Sequence, residues 1–189
     1  AAGNGVPCHL SWVAANTPRI EDKRDGRGPR YLQEMSRTNL MTRSEEFDNA
    51  AWTKTGVTVT ANTQRAPDGI VDADTLSYTA SATDEIYQGF TASDASRVVG
   101  SIYLRAAAPQ TVRLFFLKKD GTESSAVSCS VTTTWQRFVI KSTDIGTGGT
   151  TPRFIVRNHS DAAARDVFAW GAQVEVCASA GTVATSYIR

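Results

Sequence analysis

Between Arg97 and Lys118, apolar and polar side chains alternate with a period of two in RVVGSIYLR and again in TVRLFFLK. A small-residue and proline connection at Ala106–Gln110 separates the two runs. Alternation in β-branched and aromatic residues predicts two strands, read as adjacent. Parity sorts their faces. Val98, Gly100, Ile102 and Leu104 share one side of the first strand, and Val99, Ser101, Tyr103 and Arg105 share the other. On the second, Val112, Leu114 and Phe116 oppose Thr111, Arg113, Phe115 and Leu117. One face is plain core. The other sets an arginine beside an aromatic on each strand, and a function is expected there.

The same period recurs downstream. Asp120-Gly121 has hairpin-turn chemistry and leads into 124–132, with Val127, Cys129 and Val131 on one face. In 135–142, Phe138 and Ile140 oppose Trp135, Arg137 and Val139, and in 153–158 Phe154 and Val156 turn inward against Arg153, Ile155 and Arg157. Residues 165–177 are expected to place Phe168, Trp170, Ala172, Val174 and Val176 on one face, opposite Ala169, Gly171, Gln173 and Glu175. Parity slips by one wherever a bulge intervenes. Upstream, strands are predicted from Gly56 to Asn62 and at 74–80 and 86–91, with a turn at Ala66-Pro67-Asp68-Gly69. Thr42-x-x-Glu45 and Ser44 compete as N-caps and predict a short helix over 43–51, with Phe47 and Trp52 plugging one end of the core. Roughly eight to ten short strands, one helix and no helix–strand alternation predict an all-β, antiparallel two-sheet jelly-roll sandwich.

Residues 1–36 break the pattern. Asn16–Arg30 mixes prolines, glycines and alternating charges, turns at Asp25–Gly26, and is long for a loop within a compact domain. It reads as an extended N-terminal arm or attachment segment before a sandwich at 37–189. Trp12, Arg19, Ile20, Tyr31 and Leu32 are its candidate partner-binding residues.

Composition narrows the function classes. A formal net charge of +1 over 189 residues gives no electrostatic case for nucleic acid. No apolar run is long enough to cross a bilayer, so membrane insertion is not expected. The opening AAGNGVPCHLSW lacks a basic n-region and a signal-length apolar core, which predicts a mature or non-secreted chain. Cys8, Cys129 and Cys177 are odd in number and widely spaced, without a CxxC pair. They are expected to be reduced, unless Cys129 and Cys177 lie on neighbouring strands.

Several short motifs carry a family resemblance. They are Arg37-Thr38-Asn39-Leu40, Arg43-Ser44-Glu45-Glu46-Phe47, Ala51-Trp52, Gly56-Val57 and the Ala66–Gly69 turn. The close Phe168-Ala169-Trp170-Gly171-Ala172-Gln173-Val174-Glu175, with Thr185-Ser186-Tyr187-Ile188, completes the set. The chain from Thr17 onward resembles the jelly-roll, carbohydrate-binding-module-like domains of tailed-phage and prophage virion proteins, of tail-fibre, tail-associated or head-appendage type. Thr17-Pro18-Arg19 and Pro29-Arg30-Tyr31-Leu32 resemble the lead-in to that domain. The resemblance implies a component of a virion or phage-like particle, assembled in the bacterial cytoplasm and facing host surface glycan. It offers no catalytic residue, and Asn39, Trp52, Trp170 and Glu175 look like fold determinants.

Enzyme readings find no support in the residues. His9 and His159 stand far apart, and there is no HExxH, GxSxG or phosphate-binding loop. No cofactor is expected. Asp144, Asp161 and Asp166 read as solvated loop acids, against the alternative of a structural calcium site. Sugar recognition wants an aromatic platform and planar polar groups. Tyr103, Arg105, Arg113, Phe115, Arg153, Arg157 and Gln173 supply both and are expected to converge on one sheet. Their arginines suit an acidic capsular polysaccharide. The bland reading is that residues 1–36 cover the aromatics and the arginines are solvated. A rival function is an appendage, spike or decoration subunit that binds no glycan, held to other virion proteins by the arm or by strand edges. A homo-oligomer, such as a trimer, is compatible with either.

Overall fold

In a computed structural model of the chain, the described residues are 19–21, 30–32, 37–142, 144–177 and 184–188. The alternating stretches become β1 (Arg19–Glu21), β2 (Arg30–Leu32), β3 (Thr53–Thr55), β4 (Val57–Arg65), β5 (Val71–Tyr78) and β6 (Glu85–Gly89). They continue as β7 (Arg97–Arg105), β8 (Gln110–Leu117), β9 (Glu123–Val131), β10 (Gln136–Ser142), β11 (Arg153–Asn158) and β12 (Arg165–Cys177). The chain divides into two units, Ala1–Ser36 and Arg37–Arg189.

In the first unit β1 and β2 pair antiparallel, with Arg19 opposite Leu32, Ile20 opposite Tyr31 and Glu21 opposite Arg30. The expected turn at Asp25–Gly26 lies outside the described residues. The described part of the expected arm is therefore a two-stranded ribbon that joins four of the five candidate partner-binding residues, Arg19, Ile20, Tyr31 and Leu32. Trp12 lies outside the described residues.

The second unit has two antiparallel sheets of five strands, in the orders β10-β7-β12-β5-β4 and β3-β6-β11-β8-β9. Their inner faces share one core that includes Leu76, Ile102, Leu104, Leu114, Phe116 and Phe154. Burial of such apolar area supplies most of the drive to fold, at about 25 cal/mol per Å². The sheets meet closely at Gly100, where a Cβ would stand 2.6 Å from the Phe154 ring and 2.8 Å from that of Phe116. Only glycine fits this crossing.

Three expectations are corrected. First, β7 and β8 are not adjacent, because the short Ala106–Pro109 connection carries the chain from one sheet to the other. Ala106 is buried, and its N–H donates to Thr132 O at 2.9 Å. Second, residues 43–51 form turns, not a helix. A helix would bond Phe47 N–H to Arg43 O, but Phe47 N–H donates to the Asp74 carboxylate at 2.8 Å, and Arg43 O accepts from the Trp52 indole at 2.7 Å. Anchoring Phe47 and Trp52 together in the core, rings 4.8 Å apart, therefore outcompetes the local helical ladder. Third, β12 carries a bulge between Trp170 and Gln173, with Gly171 at φ +64°. Before it Val167 and Ala169 face the core, after it Ala172 and Val174 do, so Phe168 and Trp170 point outward.

Cys129 and Cys177 are free thiols on strands of different sheets. Burial pushes the Cys129 thiol up to about 12. Cys8 lies outside the described residues.

Candidate functional site

The sandwich has two outer faces, and residues 37–44 and 184–188 of the same unit close one of them. Along the second half of β12, Leu40 N–H donates to Val174 O and Ala172 N–H to Ser44 O, each at 2.8 Å. Asn39 pins this contact. Its amide donates to Ala172 O and Ile188 O at 3.2 Å, and its oxygen accepts from Met41 N–H at 3.0 Å and Val174 N–H at 3.1 Å. Residues 184–188 lie over the outward side chains of β12. Ile188 N–H donates to the Gln173 amide oxygen at 2.9 Å, Thr185 N–H donates to Glu175 at 3.1 Å, and the Gln173 amide donates to Glu175. Arg37 pairs with Glu175 at 3.6 Å. Gln173 and Glu175 are 0% exposed as a result, and their buried polar atoms need these partners.

The rest of the first sheet's outer face is an aromatic cluster. Trp170 packs against Tyr103 and Tyr187, ring centroids 5.5 and 4.6 Å away, with Ala66 and Ala73 beside it. Arg105 lies between Trp135 and Phe168, 5.4 and 5.1 Å from their rings, and donates to Gln64. Trp135 in turn donates its indole N–H to Arg65 O at 2.9 Å.

The outer face of the second sheet is built differently. Ile155 on β11 stands opposite Phe115 on β8 and Tyr87 on β6. Phe115 points outward yet is only 1% exposed, because two guanidinium groups roof it: Arg113 at 5.1 Å and Arg157 at 4.5 Å. Each is held sideways by a carboxylate, Arg113 by Glu123 with one bond of 3.0 Å, and Arg157 by Glu85 with bonds of 2.8 and 2.5 Å. Arg153 stacks on Tyr87, its guanidinium 4.5 Å from the ring. Tyr87, Arg113, Arg153 and Arg157 are half-buried, while Thr53, Ala126 and Ser128 around them are exposed. Stacked guanidinium and aromatic planes fix side chains that would otherwise sample many rotamers.

The seven residues expected to share one sheet are thus divided. Arg113, Phe115, Arg153 and Arg157 come together on the second sheet, whereas Tyr103, Arg105 and Gln173 lie on the first. Gln173 is sealed beneath residues 184–188. Tyr87, Glu85 and Glu123 complete the open face and escaped the sequence reading, although the alternation of Glu85, Tyr87 and Gly89 against Ile86 and Gln88 marks the first two as outward. Among the described residues no cluster of three His, Cys, Asp or Glu side chains is placed to hold a metal ion. Asp161 is occupied otherwise: the Ala163 N–H, then the Arg165 guanidinium, hold its carboxyl below the usual range.

No family model matches the chain, and no curated protein matches it. Its fold is shared with solved structures. The CBM22-1 xylan-binding domain of Paenibacillus barcinonensis Xyn10C is 15% identical at a TM-score of 0.55, over 71% of this chain and 92% of that one. The CBM61 module solved with β-1,4-galactotriose is 15% identical at a TM-score of 0.52, over 72% and 97%. The enzymatically active domain of tailspike protein 4 of bacteriophage CBA120 is 14% identical at a TM-score of 0.54, over 74% of this chain. This chain covers only 21% of the length of that tailspike structure. At these identities the likeness is one of fold.

Proposed function

We propose that the chain is a non-catalytic glycan-binding module, wound as a jelly roll, that takes surface polysaccharide on the outer face of its second sheet. One observation carries the reading: a half-buried Tyr87 stands beside three preset guanidinium groups on a face that the described residues of the second unit leave open. Aromatic planes cover the apolar side of a sugar, and planar donors fix its hydroxyls. The fold shared with a xylan-binding domain and a galactotriose-bound module supports it. The carboxylates of this face support binding over cleavage. Glu85 and Glu123 sit on strands separated by two others, β11 and β8, and each is engaged by an arginine.

The reading extends to a virion or phage-like particle assembled in the bacterial cytoplasm, with residues 1–36 as the attachment to other virion proteins. The motif resemblance supports that setting, and the β1–β2 ribbon, a unit of its own, is suited to attachment. The same ribbon favours the second reading, an appendage subunit without glycan binding.

The test is binding of the full chain to a panel of bacterial surface polysaccharides, neutral and acidic. Tyr87→Ala is expected to weaken binding about tenfold or more, as loss of a central aromatic does at an interface. Arg105→Ala, on the closed face, is expected to leave it unchanged. Full binding by Tyr87→Ala would move the site elsewhere, and silence across the panel would favour the appendage reading.

A further inference from the structure

We infer that the polysaccharide taken by the second sheet is acidic and that Arg153 receives its carboxylate. This rests on the glycan-binding reading above and narrows its ligand to one chemical class. The face holds three arginines and two glutamates. Arg113 and Arg157 are each neutralised by a neighbouring carboxylate. Arg153 is the exception: among the described residues it has no hydrogen-bond or ion-pair partner, only the Tyr87 ring beneath it.

Nothing beside Arg153 competes for its charge. Its cross-strand neighbours are Gly89 on β6, over which Thr151 packs with its Cγ2 2.9 Å from where a Cβ would stand, and Leu117 on β8, and none of the three is charged. Thr53 faces Tyr87 across the β3–β6 pair and is exposed, so a hydroxyl stands beside the ring that a sugar would meet. A guanidinium over an aromatic ring, with no other partner, has N–H groups free for a carboxylate, and its planar fork binds both carboxylate oxygens at once. A uronic acid, with its carboxylate on the sugar ring itself, matches an arginine and an aromatic side by side.

The experiment measures binding of the full chain to alginate, polygalacturonate and hyaluronan, each beside its carboxyl-reduced derivative, with neutral xylan as a further arm. At least one acidic polymer is expected to bind, with affinity falling about tenfold or more on carboxyl reduction, the scale of a lost charge-assisted bidentate bond. Arg153→Gln should cause the same fall, while Arg153→Lys recovers only part of it, because an ammonium keeps the charge without the fork. Equal affinity for parent and reduced polymers would overturn the inference and leave the glycan-binding reading standing. So would binding to xylan alone, or acid-selective binding that Arg153→Gln does not change. Binding to none of these polymers would overturn the inference, and silence across the bacterial polysaccharide panel as well would overturn the glycan-binding reading with it.

Discussion

The two outer faces of the sandwich carry similar side chains and meet different fates. Each presents aromatics beside arginines: Tyr103, Trp135 and Phe168 with Arg105 and Arg137 on the first sheet, Tyr87 and Phe115 with Arg113, Arg153 and Arg157 on the second. On the first sheet Arg137, Gln173 and Glu175 bond to residues that arrive from both ends of the unit, Arg37 and 184–188. On the second they are satisfied by one another, across strands. A polar outward residue is therefore no evidence of a binding site by itself. What separates the faces is whether the partner is a segment of chain, which seals the surface, or a neighbouring side chain, which leaves it accessible.

The sharpest way to break this contrast is to cut the seal. Asn39 makes four hydrogen bonds that join residues 37–44, β12 and the 184–188 segment. Asn39→Ala removes them and leaves buried partners unmatched, at about 1 kcal/mol or more for each bond lost. A fall of about 3 kcal/mol in unfolding free energy is expected by denaturant titration. An unchanged midpoint would show that the clasp merely decorates the face.

A milder probe is Gly171. Its φ of +64° lets β12 bulge, and an added Cβ would lie 3.3 Å from the Tyr187 ring and 3.4 Å from that of Tyr103. Gly171→Ala should cost about 1–2 kcal/mol, the strain of a left-handed backbone in a residue with a Cβ. Polysaccharide affinity on the opposite face should not change. A parallel loss of affinity would show that the two faces are coupled.

The same bulge marks where the sequence was legible and where it was not. Period-two alternation correctly sorted the faces of β7, β8 and β11, because burial on one side fixes register there. It misplaced Phe168 and Trp170, since one extra residue reverses parity and nothing in alternation counts it; the glycine inside a strand-like run was the available signal. The separation of β7 and β8 into different sheets was not legible either. A four-residue connection serves equally for a hairpin and for a crossing between sheets, and only the long-range pairing of β7 with β10 and β12 decides between them. The candidate site was half legible for that reason. Four of its residues were found by type and parity, but which of them share a sheet depends on topology.

The gentlest test asks whether the open face needs its internal pairs as the closed face needs its clasp. Glu85→Gln and Glu123→Gln each remove the carboxylate that holds one roofing arginine over Phe115. Partly exposed ion pairs of this kind contribute about 0–1 kcal/mol, so the unfolding midpoint should barely move, in contrast to Asn39→Ala. The gain is electrostatic: each change frees a guanidinium and adds one positive charge to a face that already has a surplus. Affinity for a carboxylated polymer should rise several-fold at low ionic strength, and the rise should shrink as salt screens the exposed charges. A large loss of stability in either variant would erase the distinction between the faces, making lateral side-chain pairs as structural as the chain-end seal. Unchanged stability with unchanged affinity would keep the distinction and confine anion recognition to Arg153, the one arginine of that face without an ion-pair partner among the described residues.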